Sequence, residues 1–274
     1  MTKSPELEEA KEWAATFFPS PNTICTRAFS QFLRDYRASS DLFMFTVQLA
    51  SNADKVVSTA SKALLAVGGQ SQEERERLEK SVAEPDAAFK KLRSHAEVLS
   101  QNLTNGFVNA FQRYFSTIIQ SAAEKRPALM SSSQTIRIDD VFRFTKHRDL
   151  VAFIIDRKVN DLSYGGIFEM ERYFDERLGI QMFNDDEQRA LLRMFVEARN
   201  INVHNGAVVN DLFASRVGKV DGFPYTKGAR FYIDLDRLGV LSKNAMRVAK
   251  SIDQTVSEKF GLKRQKHCVW MKKS

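Results

Sequence analysis

Apolar residues recur along most of this chain at steps of three and four, which is the spacing that one face of an α-helix produces. This period predicts one long helix over residues 27–65 and a second that begins near Pro85. The inner side of the first helix carries Phe29, Phe32, Leu33, Tyr36, Phe43, Val47, Ala50, Val57, Ala60 and Leu64. The inner side of the second carries Phe89, Leu92, Leu99, Leu103, Phe107, Phe111, Tyr114 and Ile118. Because each set forms one stripe, we expect the two helices to pack antiparallel.

Two further signals delimit the N-terminal half of the chain. Ser4, followed by Pro5 and several acidic residues, indicates the start of an earlier helix that ends near Phe18. The segment "KRPALMSSSQT", residues 125–135, combines a proline and three serines with the end of the helical period. Such a segment is typical of a linker, so we expect a domain boundary here.

Shorter helices are predicted beyond the linker, over residues 147–162, 166–179, 185–204 and 236–260. The only strong strand signal is "ARFYIDL" at 229–235. The pattern therefore predicts an all-α protein, in which a long-helix hairpin or bundle precedes a four-helix bundle. The predicted parts are an N-terminal helical domain over 1–126, a second domain over 135–262 and a basic tail over 263–274.

Composition narrows the class of protein. The chain has 274 residues, 43% of them hydrophobic and 27% charged, as in a globular protein of one or two domains. No run approaches the roughly 18 apolar residues of a membrane span, and "MTKSPELEEAKEW" is too acidic for a secretory signal. We therefore expect a cytoplasmic protein without membrane association. Cys25 and Cys268 provide neither a disulfide framework nor metal-ligand spacing.

The net charge of +7 is concentrated near the C-terminus. The last residues contain no acid and five basic side chains, which are Lys263, Arg264, Lys266, Lys272 and Lys273. The remainder of the chain is nearly neutral. The tail is therefore either a sequence-independent contact for a phosphate backbone or a solvated terminus.

The stretch "FVEARNINVHNGAVVND", residues 195–211, places polar residues within an apolar helix. On a helical wheel, Arg199 lies at the centre of the stripe that Leu192, Phe195 and Val196 form. A guanidinium there is costly unless it is paired or reaches a partner surface. The alternatives are that it extends to the edge of the stripe, or that it pairs with a carboxylate of the preceding helix, such as Glu169 or Glu171.

Asn200 and His204 lie one turn apart, on a face that borders Arg199. Asn200 is therefore placed to orient the imidazole. Asn205 and Gly206 then predict the end of the helix, which leaves His204 in its last turn. A lone histidine at a helix end usually interacts only with the helix dipole, but here an arginine and two amides accompany it.

The run "RNINVHN" resembles the R-x4-6-H signature of the HEPN superfamily, in which a polar residue commonly follows the arginine. The resemblance covers about residues 136–262, where two helices precede the motif, a third ends with it and a fourth follows. HEPN domains are typically small helical domains that dimerise. Many are metal-independent endoribonucleases of toxin, anti-phage and RNA-processing systems.

The resemblance implies that Arg199, Asn200 and His204 form a catalytic site that needs no cofactor and no metal. A histidine can remove the proton of an RNA 2′-hydroxyl near neutral pH, and an arginine can stabilise the charge that develops on phosphorus. The implied partners are RNA, a second copy of the chain and, for a toxin, a cognate antitoxin or regulatory protein. In HEPN toxins that are silenced by modification of a tyrosine, this tyrosine lies two residues after the histidine. Gly206 stands at that position here, so we do not expect silencing by that route.

Arg199 and His204 point about 140° apart on a regular helix. We therefore expect either that the helix distorts before His204, or that the two residues of one site come from two subunits. In the second case the apolar stripe around Arg199 forms a two-fold interface. The alternative function is a non-catalytic HEPN-like module, in which Arg199 and His204 hold an interface or an RNA phosphate and the long N-terminal helices recruit a protein. The nearly neutral body favours neither function.

Overall fold

The computed structural model of the chain describes residues 20–130 and 138–271. Helices make up most of these residues, so the predicted all-α class is confirmed. The α-helices are α1 (Arg27–Val67), α2 (Gln72–Ala83), α3 (Ala87–Ser94), α4 (Ala96–Lys125), α5 (Ile138–Phe142), α6 (His147–Tyr164), α7 (Gly166–Tyr173), α8 (Asp186–His204), α9 (Asp211–Val217), α10 (Leu235–Phe260) and α11 (His267–Met271). A 3-10 helix (Pro127–Met130) follows α4, and a π-helix (Phe174–Leu178) continues α7. Two short strands, β1 (Ile24–Cys25) and β2 (Gln265–Lys266), pair antiparallel. None of the described helices has the length and apolar character needed to cross a membrane.

Two local expectations differ from the structure, and one charged segment for which the apolar period predicts nothing forms a helix. The strand predicted over 229–235 is reduced to an isolated antiparallel bridge between Val208 and Arg230, because only a short stretch of chain runs beside it. The charged segment "QEERERLEK" lacks an apolar period but lies in α2, which Ser71 and Glu74 start with a capping box. The helix expected from Pro85 is interrupted at His95, between α3 and α4. The helix expected over residues 4–18 lies outside the described residues.

Helices α1 and α4 form the long hairpin that the apolar stripes predict. Aromatic rings of the two helices meet at centroid distances of 5.6 Å for Phe29 with Tyr114, 6.3 Å for Phe32 with Phe111 and 3.9 Å for Tyr36 with Phe107. Since the residue numbers rise along α1 as they fall along α4, the two helices run antiparallel. This prediction is therefore confirmed.

The core continues from the hairpin into the C-terminal half. Helix α4 packs against α1 and also against α6, α8 and α10. The rings of Phe115 and Phe174 lie 5.3 Å apart, and the Tyr114 hydroxyl donates a hydrogen bond to the carbonyl of Ala249 at 3.0 Å. The buried apolar residues on both sides of the predicted boundary thus form one cluster. The boundary itself falls on residues 131–137, outside the described part of the chain, so the division into domains stays a prediction.

The segment expected to be a basic tail is packed against the start of α1 as far as Met271. Strand β2 pairs with β1, and the indole N–H of Trp270 donates to the carbonyl of Cys25 at 3.0 Å. The buried imidazole of His267 lies 2.8 Å from the hydroxyl of Ser30. These contacts contradict a fully solvated terminus. They also bring the two cysteines, which lie far apart in sequence, into one corner of the fold, where both are free thiols.

Candidate functional site

The candidate residues lie at the C-terminal end of α8. The side chain of Asp185 caps the start of this helix. The helix ends after His204 because Gly206 and Ala207 take left-handed φ values of 56° and 63°. The N–H of Ala207 then closes the end by donating to the carbonyl of Ile201 at 2.9 Å. The predicted stop is therefore confirmed, and it leaves the His204 side chain exposed.

The apolar stripe of α8 is covered by the chain itself. Leu192, Phe195 and Val196 are fully buried, and α4 and α10 both pack against α8. The stripe is therefore not available as a two-fold interface, and the expectation that it meets its own symmetry mate is wrong. A helical wheel identifies the buried face of a helix, but it does not distinguish the protein's own core from a partner.

Arg199 lies at the edge of this stripe and is held by amides. Its Nε donates to Oδ1 of Asn109 in α4 at 3.1 Å, and its Nη1 donates to Oδ1 of Asn200 at 3.3 Å. The alternative pairing with Glu169 or Glu171 is wrong, because Glu171 pairs with two other arginines of α8 and Glu169 pairs with an arginine of α7. Among the described residues no carboxylate lies within 4.0 Å of the Arg199 guanidinium, so its charge remains available to an anion.

Asn200 extends this network to a buried carboxylate. Its Nδ2 donates to Oε2 of Glu197 at 3.2 Å, and the other carboxylate oxygen of Glu197 accepts from Nη1 of Arg216 in α9, also at 3.2 Å. Glu197 is only 5% exposed. Asn200 was expected to orient the imidazole of His204. In the structure both ends of its amide are engaged by Arg199 and Glu197 instead, so this expectation is wrong.

One cleft of about 380 Å³ brings the three predicted residues together. Arg199, Asn200 and His204 line it, together with Gln112 of α4 and Arg216 of α9. Within the described part of the chain the imidazole of His204 has no hydrogen-bond partner. The cleft lies at the end of α8, so two residues that diverge around the helix axis still border the same open volume.

A smaller cleft of about 220 Å³ adjoins the first. Gly166, Glu197 and Arg216 line both of them. Gly166 has a φ of 75°, and a Cβ built there would lie 3.6 Å from Oε1 of Glu197 and 3.8 Å from Nη1 of Arg216. The second cleft adds the side chain of Arg193 and the exposed ring of Phe168. Together the clefts form a groove with three guanidinium groups and an accessible aromatic face.

Sequence reasoning missed Asn109, Glu197 and Arg216. Glu197 falls opposite the apolar stripe on the helical wheel, so its position predicts a solvated acid. Asn109 lies 90 residues before Arg199, in the other predicted domain. Arg216 lies 19 residues after Glu197, beyond the end of the helix. The spacing of apolar residues describes the faces of a single helix, so it could not indicate contacts between residues that lie in different helices.

Within the described residues, no group of three or more histidine, cysteine, aspartate or glutamate side chains is arranged to hold a metal ion. Comparison of the chain with protein-family models, curated proteins and solved structures found no match. The resemblance to HEPN domains therefore rests on the "RNINVHN" motif and its position at the end of α8.

Proposed function

We propose that this chain is a metal-independent endoribonuclease of the HEPN type. The observation that carries the proposal is the cleft at the end of α8, where Arg199, Asn200 and His204 meet a second arginine, Arg216. An imidazole beside two guanidinium groups is a suitable set for cleaving a phosphodiester that carries a neighbouring hydroxyl.

In the proposed reaction His204 removes the proton of the RNA 2′-hydroxyl. The 2′-oxygen then forms a bond to phosphorus while the bond from phosphorus to the 5′-oxygen breaks. The departing 5′-oxygen takes a proton from water, and the imidazolium of His204 returns its proton to the resulting hydroxide. The products are a 2′,3′-cyclic phosphate and a 5′-hydroxyl, and His204 is restored.

Arg199 stabilises the negative charge that develops on the phosphorane. A guanidinium has five N–H donors, so its bonds to Asn109 and Asn200 leave further donors for phosphate oxygens. Those two amides hold the group in place before substrate binds, which lowers the cost of ordering it during the reaction. Asn200 thus positions Arg199, whereas His204 supplies the base.

The adjoining cleft offers a path for single-stranded RNA. Arg193 and Arg216 line it, and although they pair with Glu171 and Glu197, each guanidinium keeps further N–H donors for phosphate oxygens. The exposed ring of Phe168 is available to stack on a nucleobase. This combination of cationic groups with an aromatic face is local, since the body of the protein carries little net charge. We therefore expect the protein to bind RNA through a short segment rather than along an extended basic face.

The biological role that the resemblance supports is that of a toxin or anti-phage effector in the cytoplasm, acting as a homodimer. A cognate antitoxin or regulatory protein is then a further partner. Control by tyrosine modification after the histidine is not part of this proposal, because Gly206 occupies that position. A regulator would therefore act by another route, such as covering the cleft.

A second candidate function is a non-catalytic RNA-binding or protein-binding module. The observation that favours it is that the hydrogen-bond network joins Arg199, Asn200 and Glu197 but not His204. A site that only binds phosphate needs the arginines held in place and does not need a positioned base. The two functions differ in whether loss of His204 abolishes cleavage or only weakens binding.

The deciding experiment measures cleavage of single-stranded RNA in the presence of EDTA. The wild type should produce 2′,3′-cyclic phosphate ends, and His204→Ala and Arg199→Ala should be folded but inactive. His147→Ala is a matched control, because His147 is an exposed histidine that does not line the cleft. Equal cleavage by the wild type and both cleft variants would refute the active site, and loss of cleavage on chelation would indicate a metal nuclease. RNA binding without cleavage would favour the binding module.

A further inference from the structure

Helix α1 has a second apolar stripe, on the side opposite the face that packs against the rest of the chain. The stripe consists of Leu42, Phe45, Leu49 and Val56, which are exposed by between 59% and 68%. On a helical wheel these four residues fall within about 60° of one another, while Phe43 and Val47 lie on the opposite, packed side. We refer to these four residues as the outer stripe.

The outer stripe has the spacing of a helix-pairing seam. Its steps of three, four and seven place Leu42, Leu49 and Val56 at one heptad position and Phe45 at the other. The sequence from Leu42 to Ala53 contains no charged residue. A solvent-facing side of a helix normally carries charged side chains, so an uncharged stripe there with four large apolar side chains indicates a surface that a partner covers.

The charged residues that flank the outer stripe can form opposite-charge pairs with the same residues of a second copy of the chain. Asp41 and Lys55 lie on the same side of the stripe, each one heptad from Gln48. If two copies of α1 pair antiparallel about Gln48, Asp41 faces Lys55 of the partner subunit, and the same pair forms again across the two-fold axis. In a parallel pair the same two residues would face the uncharged residues Thr46 and Ala60, so the antiparallel arrangement is favoured.

We propose that the outer stripe of α1 is a self-association surface and that its partner is a second copy of this chain, paired antiparallel about Gln48. The flanking charges are then symmetric about Gln48. In the core, each residue at one heptad position packs on a residue at the other position, so that the core layers are symmetric about Val47 and Leu49 packs on Phe45 of the partner subunit. Each contact layer occurs twice, and the layers pair Phe45 with Leu49, Leu42 with Asn52 and Ala38 with Val56. The contact extends over about 27 Å of helix. It lies apart from the cleft, because no residue that lines the cleft lies on the outer stripe, and it gives the homodimer of the proposed function an interface that can be tested without measuring cleavage.

The first test is the oligomeric state measured by analytical ultracentrifugation of the full chain. We expect the wild type to be a dimer and Leu49→Asp to be a monomer with unchanged helical circular dichroism, since Leu49 is 59% exposed and does not belong to the core. Leu64→Asp is a matched control, because Leu64 is an exposed leucine of the same helix that lies beyond the proposed contact. A monomeric wild type at about 100 μM would overturn the proposal, and so would a dimer that survives Leu49→Asp.

The second test examines the antiparallel register by charge reversal. Asp41→Lys and Lys55→Asp should each weaken self-association roughly tenfold, because two opposite-charge pairs become two like-charge pairs. A mixture of the two variants should restore dimers, since each heterodimer then has two opposite-charge pairs. If the mixture associates no better than each variant alone, the antiparallel register is wrong.

Discussion

Glu197 and Arg216 form an ion pair with a separation of 3.2 Å that joins the end of α8 to α9. The carboxylate is buried, whereas the guanidinium is partly exposed and faces the cleft. The same carboxylate accepts a hydrogen bond from Asn200, which in turn accepts one from Arg199. Through this one buried acid, the positions of two arginines of the candidate site depend on each other.

Glu197→Ala should therefore lower RNA cleavage more than it lowers stability. We expect at least a tenfold loss of cleavage rate, because Asn200 and Arg216 both lose the acceptor that positions them. The free energy of unfolding should fall by about 1–2 kcal/mol, the usual cost of leaving partly buried donors without a partner. Urea unfolding and single-turnover cleavage measure the two effects. Unchanged cleavage would mean that the network is only structural.

Asn109→Ala should lower cleavage by about tenfold while leaving the fold intact. Asn109 is exposed, and its side-chain oxygen accepts the bond that holds Nε of Arg199. Asn102→Ala is the matched control, because Asn102 is an exposed asparagine of the same helix two turns earlier. The comparison uses initial rates at saturating RNA. An equal rate for the two variants would contradict a positioning role for Asn109.

Acidification should weaken the attachment of the C-terminal segment to α1. Burial of His267, with Arg34 and Arg37 nearby, lowers its pKa below the usual 6.5. The unfolded chain therefore binds a proton at His267 more readily than the folded protein does. The contribution of this residue to stability is complete above pH 6.5 and is lost as the pH falls through that value toward the lower folded pKa.

Urea unfolding at pH 7.5 and pH 5.5 tests this dependence on His267. The His267→Gln variant should lose less stability between the two values than the wild type, because glutamine does not titrate. His147→Gln, which changes an exposed histidine, should behave as the wild type does. If His267→Gln shows the same loss as the wild type, another group is responsible for the acid sensitivity.

A fragment that starts at residue 131 should not fold as a stable unit. The sequence predicts a separate C-terminal core, but Phe174 packs on Phe115, and Tyr114 bonds to the carbonyl of Ala249 across the predicted boundary. Removing α4 exposes the faces of α8 and α10 that it covers. We expect the fragment to have reduced helical circular dichroism and no cooperative melting. A fragment that melts cooperatively would support the two-domain division.

The sequence alone was sufficient for the features that depend on neighbours along the chain. Helix α8 was predicted over residues 185–204 and is observed over Asp186–His204, because its cap, its apolar period and its glycine stop are all local. The antiparallel hairpin of α1 and α4 followed for the same reason, since two long stripes have few ways to bury each other. The apolar period gave no indication of α2, which begins at the capping box of Ser71 and Glu74 instead.

Only the tertiary structure decided what each face of a helix meets. The stripe of α8 meets the protein's own core and not a partner, while part of α1 has an apolar stripe exposed to solvent. Arg199 bonds to an amide 90 residues away, whereas the sequence offered two acids of the preceding helix as possible partners. The physical reason is that periodicity specifies direction around a helix axis, whereas a hydrogen bond depends on atoms within about 3 Å that separate parts of the chain bring together.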